Sequence, residues 1–413
     1  MQEASTSEKF IPFHRPSIGA EEIDEVAETL RSGWLTTGPR TARFERDFRE
    51  YVGADHALAV NSATAALHLA LAAAKIGPGD EVITTPMTFC ATVQAILHIG
   101  AEPVLADIGS DGNIDPSEIE KRITRRTRAI IPVHMAGLPC EMGDIWDLAA
   151  RRDLRVIEDA AHAVGARYDG RPIGSTPSSG DSSSDAVAFS FYATKNLTTG
   201  EGGMLTARCP EIAESARMLS LHGASHSAWD RYTEHGDWHY DVLAHGFKYN
   251  LSDIQSAIGI HQLKKLERFI ERRTALAEIY EHAFAGWDEI ELPPNKRQCR
   301  HAWHLYVIRL NLERLKIDRS GFVRELKNRG IGTSVHFIPI QLHHYFRGLG
   351  LAKYACPRAL ALYPRIVSLP LYPGLTDDEA QYVADSVIEI LKHARHTRFV
   401  APNASVIGTR PAA

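Results

Sequence analysis

"AIIPVHMAGLPCEMGDIWDLAARRDLRVIED", residues 129–159, begins and ends in short β-rich apolar runs, AIIPVH (129–134) and RVIED (155–159), with enough chain between them for a helix. The same rhythm extends towards the N-terminus, where ALAV (57–60), EVITT (81–85) and PVLAD (103–107) recur at comparable spacing. Parallel strands need crossover connections packed on the sheet faces, so this alternation predicts an open α/β sheet with helices on both sides. Such sheets bind ligands beyond the carboxyl ends of their strands.

On the N-terminal side, Ser17 precedes Ile23, Val26, Ala27 and Leu30, apolar positions three and four apart that predict a capped amphipathic helix ending near Gly33. From Ser252 a long helical pattern, with Ile254, Ile258, Leu263 and Leu266 on its buried side, is expected to bridge two domains. Strand-like HLYVIRL followed by helical RSGFVRELKNRG and TDDEAQYVADSVIEILKHA predicts an α+β unit beyond it. The expected division is a large α/β domain over 10–260, a small α+β domain over 261–395 and a loose tail over 396–413. Ser-rich STPSSGDSSSD (175–185) reads as a mobile surface loop.

A chain of 413 residues with 44% hydrophobic and 23% charged residues is expected to fold as a globular protein of two domains. A net charge of -5 without a long basic block argues against a nucleic-acid partner. Five widely spaced cysteines without a C-x-x-C pair suggest neither a disulfide framework nor a zinc site, and no metal is expected. The opening residues lack a secretory pattern and no apolar stretch reaches 18 residues, so a cytoplasmic protein without a membrane partner is the expectation.

The chemistry gathers where strands end. Asn61 to Thr64 form a polar turn entering a helix pattern, and a helix N-terminus offers free N–H groups to a phosphate, although taken alone the turn reads first as simple capping by Ser62 or Thr64, since most such turns bind nothing. Asp159 ends an apolar strand and needs a cation, a donor or a cap. Lys195, in FSFYATKNLTTGEGGML (189–205), emerges from another apolar run. It either extends to solvent or, if desolvated, becomes a nucleophilic amine able to form a Schiff base with a carbonyl. Amine, carboxylate and helix N-terminus together fit pyridoxal 5'-phosphate (PLP).

EDAAHAVGA (158–166), SFYATKN (190–196) and GEGGML (200–205) strongly resemble the DegT/StrS family of PLP-dependent sugar aminotransferases. SGWLTTGP (32–39), NSATAALHLAL, GPGDEVITTPMTF, GFKYNLSDIQSAIG (246–259) and SLPLYPGLT (368–376) extend the resemblance over most of residues 10–390. It implies the fold-type I aminotransferase architecture, with a mostly parallel seven-stranded sheet and a smaller α+β C-terminal domain. It also implies a homodimer with shared active sites, L-glutamate as donor and a nucleotide-linked keto-sugar as acceptor.

Carried onto this chain, the resemblance makes Lys195 the amine that takes the aldehyde and later shuttles a proton. Asp159 becomes the partner of the ring nitrogen, His162 a neighbour of the phenolic oxygen, and Phe89 the ring stacked on the pyridine. Ala63, Thr64 and Ser190 are implied for the phosphate, together with a residue of GFKYN from a second copy. Relatives read G-x-N-x-R there, and of Lys248 and Asn250 we favour Asn250. Thr36, Thr37, Lys248 and His336 are implied on the sugar side, with Gln341 where many relatives have histidine. Some relatives dehydrate a deoxysugar but replace the lysine with histidine, so Lys195 argues against that chemistry. A non-catalytic regulator on the same fold would have no reason to keep Lys195 with Asp159.

Overall fold

A computed structural model describes residues 10–176, 182–225 and 239–396. The expected C-terminal tail lies outside the described residues, its first position apart, as does the middle of the Ser-rich segment. In chain order the strands are β1 (His56–Val60), β2 (Glu81–Thr84), β3 (Glu102–Leu105), β4 (Thr127–Ile131), β5 (Arg155–Asp159), β6 (Arg167–Tyr168), β7 (Arg171–Pro172), β8 (Ala186–Ser190), β9 (Gly203–Ala207), β10 (Ile290–Glu291), β11 (Cys299–Arg300), β12 (Tyr306–Leu310) and β13 (Ile366–Leu369). Seven of them form one sheet in the order β1-β9-β8-β5-β4-β2-β3. β3, β2, β4, β5 and β8 run parallel, whereas β9 is antiparallel to both β8 and β1. The alternation of strands and helices does not reveal β9, because the loop after Ser190 carries no crossover helix and brings the chain straight back.

Both faces of the sheet are covered, which is why its strands read as nearly unbroken apolar runs. On one face Ile83, Ile130, Val156 and Phe189 share a core with Phe44 and Phe48 of α2 (Pro39–Val52). On the other, Val82, Ile131, Ile157 and Leu205 pack against Leu67 and Leu71 of α3 (Ala63–Ala73) and Ile96 of α4 (Cys90–His98). A separate core surrounds the antiparallel sheet β10-β12-β13.

The long helix, Asp253–Phe284, serves both cores. Its capping box at Ser252 and Gln255 starts it where the sequence indicates. Ile260, Leu263, Leu266 and Ile270 enter the core of the large sheet, and Leu276, Ala277, Tyr280 and Phe284 enter the second. Ile254 and Ile258, expected on the buried side, are only half-buried, because Asp253, Ser256 and Ala257 face inward instead. Asp253 is fully buried and accepts hydrogen bonds from Gly38 N (2.8 Å), Arg40 N (3.1 Å), Thr41 N (2.9 Å) and Thr41 Oγ1 (2.7 Å). A carboxylate thus satisfies the free amides that begin α2. Arg273 ties the helix to the second unit by donating from Nη1 to Trp303 O, His304 O and Leu371 O.

Helix Ala20–Ser32 ends at Gly33 in the left-handed region (φ 74°), as expected, but Gly19 rather than Ser17 is its N-cap. Two of its apolar residues face outward, Ile23 at 62% and Leu30 at 54% exposed, while Val26 and Ala27 are half-buried. The buried side is polar, because Glu22 accepts from Gln262 and pairs with Lys265 of the long helix at 2.9 and 2.8 Å. The end of the Ser-rich segment is no free loop either, since Ser184 is buried and bonded to Trp146 and Glu158. Among the described residues no helix is long and apolar enough to cross a membrane.

Gly203 opens β9 against the start of α3. An added Cβ would lie 2.6 Å from Ser62 C, 2.7 Å from Ala63 N and 2.7 Å from Phe189 O, all main-chain atoms in packed elements. Gly203→Ala is expected to cost on the order of 1–3 kcal/mol in denaturant unfolding. Parental stability in that variant would show that the strand and helix are not locked together here.

Candidate active site

Four strand ends and two later segments converge on a cavity of about 540 Å³. β5 delivers Asp159, α3 begins with Ala63 and Thr64, α4 is preceded by Thr88 and Phe89, β8 ends on Ser190, and the loop from β8 to β9 carries Lys195. His304, which precedes β12, and His336, which precedes Phe337, close it from the C-terminal side. The position follows from strand polarity, because carboxyl ends of adjacent parallel strands leave a crevice where their connections diverge.

Successive residues of a strand face opposite sides, so Glu158 and Asp159 have different tasks. Asp159 is buried, its Oδ2 accepting from Thr92 Oγ1 at 2.7 Å and its Oδ1 from Ala161 N at 3.1 Å. Burial raises its pKa, while these donors and the Lys195 charge pull the other way. Glu158 points away, accepting from Ser184 Oγ at 2.5 Å and from His134 Nε2 at 2.6 Å. Cys140 N–H donates to His134 Nδ1 at 3.1 Å, which assigns the single imidazole proton to Nε2. Trp146 Nε1 completes the chain by donating to Ser184 Oγ at 2.9 Å. Behind Asp159 there is therefore a fully bonded polar network anchoring the strand end.

Lys195 follows a turn in which its own N–H donates to Tyr192 O at 2.9 Å. Protein surrounds its ammonium, and that desolvation lowers the pKa to about 8, with the Asp159 charge opposing the shift. The sequence left two possibilities for this lysine, solvent or a dry cavity, and the structure places it in the cavity.

His162 also lines the cavity, buried, with Nδ1 lacking any partner. Its ring lies 4.4 Å from that of His304 and 5.7 Å from that of Phe337, and burial holds it well below the ordinary histidine pKa. His336 Nδ1 meets Ser368 Oγ at 2.8 Å, and burial brings its pKa to about 4. A neutral imidazole offers one donor and one acceptor and adds no charge. Phe89 is 59% exposed, so it is no core phenylalanine; its ring stands at the mouth of the cavity, 6.0 Å from Phe337.

At the start of α3, Ser62 Oγ accepts from Ala65 N at 3.1 Å, so the capping reading of this turn holds for Ser62. The cap leaves the preceding amides of Ala63 and Thr64 without an intrahelical partner, as at any helix start. Ala63, Thr64 and the buried Ser190 all line the cavity. Thr36, Thr37, Lys248 and Asn250 do not. Three of them meet on a rim, where Asn250 Nδ2 donates to Thr37 Oγ1 (2.7 Å), Thr37 Oγ1 donates to Leu251 O (2.5 Å), and Lys248 Nζ donates to Asn250 Oδ1, while Thr36 O accepts from Asp253 N at 3.2 Å. Gln341 is buried outside the cavity with both amide atoms unpartnered, and the Tyr345 side chain is exposed.

Sequence reasoning passed over Phe13, His14, Thr92, His304 and Phe337, which also line the cavity. Thr88 and Thr92 sit four apart at a helix start, 2.7 Å between hydroxyls, and that spacing was readable. Nothing local marks Phe13 or His14, which arrive from the far end of the chain.

The model of the DegT/DnrJ/EryC1/StrS aminotransferase family matches residues 16–388. The spore coat polysaccharide biosynthesis protein SpsC of Bacillus subtilis is 49% identical over 388 residues, 93% of this chain and 98% of that protein. The PLP form of Spr1654 from Streptococcus pneumoniae superposes with a TM-score of 0.85 at 34% identity, covering 93% of this chain and 99% of that one. Helicobacter pylori PseC, an aminotransferase involved in pseudoaminic acid biosynthesis, gives a TM-score of 0.85 at 31% identity over 93% of this chain and all of that one (100%).

An amine with a pKa near 8 reacts at lower pH than an ordinary lysine. In the apoprotein, modification of Lys195 by trinitrobenzenesulfonate should rise with pH through a midpoint near 8 rather than 10.5. Asp159→Asn should move the midpoint down, because the carboxylate favours the ammonium form. A parental midpoint close to 10.5 would refute the desolvated setting.

Proposed function

Since the chain belongs to the DegT/DnrJ/EryC1/StrS aminotransferase family, we propose that it moves an amino group from L-glutamate to a nucleotide-linked keto-sugar, the acceptor being an NDP-4-keto-6-deoxyhexose or a related 4-keto sugar. The cofactor is PLP. The observation that carries the reading is that Lys195 and Asp159, a desolvated amine and a buried carboxylate, line one cavity with a helix start at its rim.

The residues present fit this cofactor. Lys195 suits the aldehyde, Asp159 the ring nitrogen, and the unpartnered Nδ1 of His162 an oxygen substituent. Phe89 presents an exposed ring for stacking, and Ala63, Thr64 and Ser190 suit a phosphate. When bound, PLP supplies an electrophilic carbon and an electron sink. Lys195 Nζ, titrating near 8, can both release and accept a proton close to neutral pH, as a proton shuttle requires. Thr92 and Ala161 hold the Asp159 carboxylate still, so its charge is preorganised where a pyridinium would need it. Phe13, Phe337 and Leu371 form apolar walls that exclude water.

A homodimer belongs to the same reading. Ile23, Leu30 and Leu35 leave apolar surface exposed on one chain, and Phe89 and Tyr192 stand exposed at the cavity. The rim formed by Thr37, Lys248 and Asn250, with Thr36 next in the chain, lies outside this chain's cavity, where it can serve that of a second copy. A site completed by two chains and sized for small molecules suits a cytoplasmic enzyme.

Holoenzyme is expected to show the visible absorption of bound PLP and to aminate keto-sugar nucleotides with glutamate. Lys195→Ala should abolish both, whereas Asp159→Asn should keep the band and slow turnover by about 10²-fold or more. A band that survives Lys195→Ala, or equal turnover in Asp159→Asn, would overturn the assigned roles; activity confined to keto acids would overturn the sugar acceptor. Light scattering should return twice the 45.7 kDa chain mass, and a monomer with full activity would exclude the shared site.

A further inference from the structure

The N-terminal segment is a structural part of the cavity. Ile11 N–H donates to Gly330 O at 2.8 Å and Gly332 N–H donates to Ile11 O at 2.8 Å, which fastens the segment to the C-terminal unit. The fit is close, since a Cβ on Gly332 would lie 2.7 Å from Phe13 N. Phe13 then stacks on His336 with centroids 5.5 Å apart, and His14 Nε2 reaches Ala193 O at 3.2 Å. Ala193 belongs to the turn that precedes Lys195, closed by the Lys195 N–H bond to Tyr192 O.

A carbonyl only accepts, so the His14 proton resides on Nε2. The charges facing the ring are Arg273, from the long helix, and Lys195, from the turn it contacts; the Tyr372 ring meets it edge-on at 6.0 Å. Burial and these two cations lower its pKa to about 4, so His14 keeps one tautomer and no charge at neutral pH. The donor facing Ala193 is therefore permanent. A residue remote in sequence and bound to the C-terminal unit thus grips the turn that aims the amine.

We propose that His14 is a positioning residue for Lys195: its Nε2–H bond to Ala193 O holds the 193–195 turn so that the amine stays inside the cavity. The inference rests on the reading of Lys195 as the amine that takes the cofactor. Without the bond the turn can open towards solvent, the ammonium regains water, and the amine loses its aim. The effect on turnover then follows from misplacement of the reacting group.

Two substitutions test it. His14→Leu removes the donor, whereas His14→Gln can present an amide N–H at the Nε2 position and keep the bond. In the apoproteins, the pH midpoint of Lys195 modification by trinitrobenzenesulfonate should move up from about 8 towards 10.5 in the leucine variant and stay near 8 in the glutamine variant. In the holoenzymes, kcat should fall about tenfold or more for leucine, with KM for glutamate changed little, and recover for glutamine. Should His14→Leu fail to fold, His14→Asn replaces it, its shorter amide matching Nδ1 rather than Nε2. A folded leucine or asparagine variant with the parental midpoint and kcat would overturn the proposal, as would a glutamine variant impaired as severely. Loss of thermal stability alone, with the midpoint unmoved, would make His14 merely structural. Absence of the visible band from the parental holoenzyme would instead sink the cofactor reading beneath it.

Discussion

An amine and a carboxylate, both drier than their charged forms prefer, share one cavity, and the rest of the structure serves to keep them there. Burial works on the two in opposite senses: it favours the neutral amine of Lys195 and the protonated acid of Asp159, while each charge supports the other. Neither side chain could hold this state on a mobile loop in water. Asp159 is fixed by the end of a central strand and two donors, and Lys195 by a loop between antiparallel strands.

That arrangement depends on elements distant in the chain. Strand β9 returns beside β8, and its first residue, Gly203, fits against the start of α3 only because it has no side chain. The same contact brings the helix start beside the lysine loop. On the other side, the long helix carries the C-terminal unit, and Arg273 fastens the wall containing His304 and Leu371 to it. Three chemical features of the cavity, amine, acid and helix terminus, thus share a single packed framework.

The surface of the chain reflects a second organising demand. Helix Ala20–Ser32 turns its acidic side inward to Lys265 and Gln262 and leaves Ile23 and Leu30 in solvent. A helix that buries Glu22 and exposes Ile23 and Leu30 leaves apolar surface that its own chain does not cover. The proposed homodimer gives that surface a partner and gives the rim of Thr37, Lys248 and Asn250 a cavity to serve.

Much of the framework was legible because strand and helix periods are local. The parallel strands, the long helix from Ser252 and the helices near residues 319 and 377 follow from spacing alone; Lys195 and Asp159 stood out at strand ends, and the resemblance implied their roles. What spacing could not carry was direction and partnership. The antiparallel course of β9, the outward face of the first helix and the inward turn of Asp253 each depend on which distant surface wins the contact. Phe13 and His14 joined the cavity without any motif, because their place is set by the pairing of Ile11 with Gly330 and Gly332. By itself, the amino-acid sequence determined which segments could be strands and helices and which residues carry reactive groups, since backbone periodicity and side-chain chemistry are properties of short stretches. Only the tertiary structure decided which of those groups lose water together, because desolvation and charge coupling depend on distances between residues far apart along the chain.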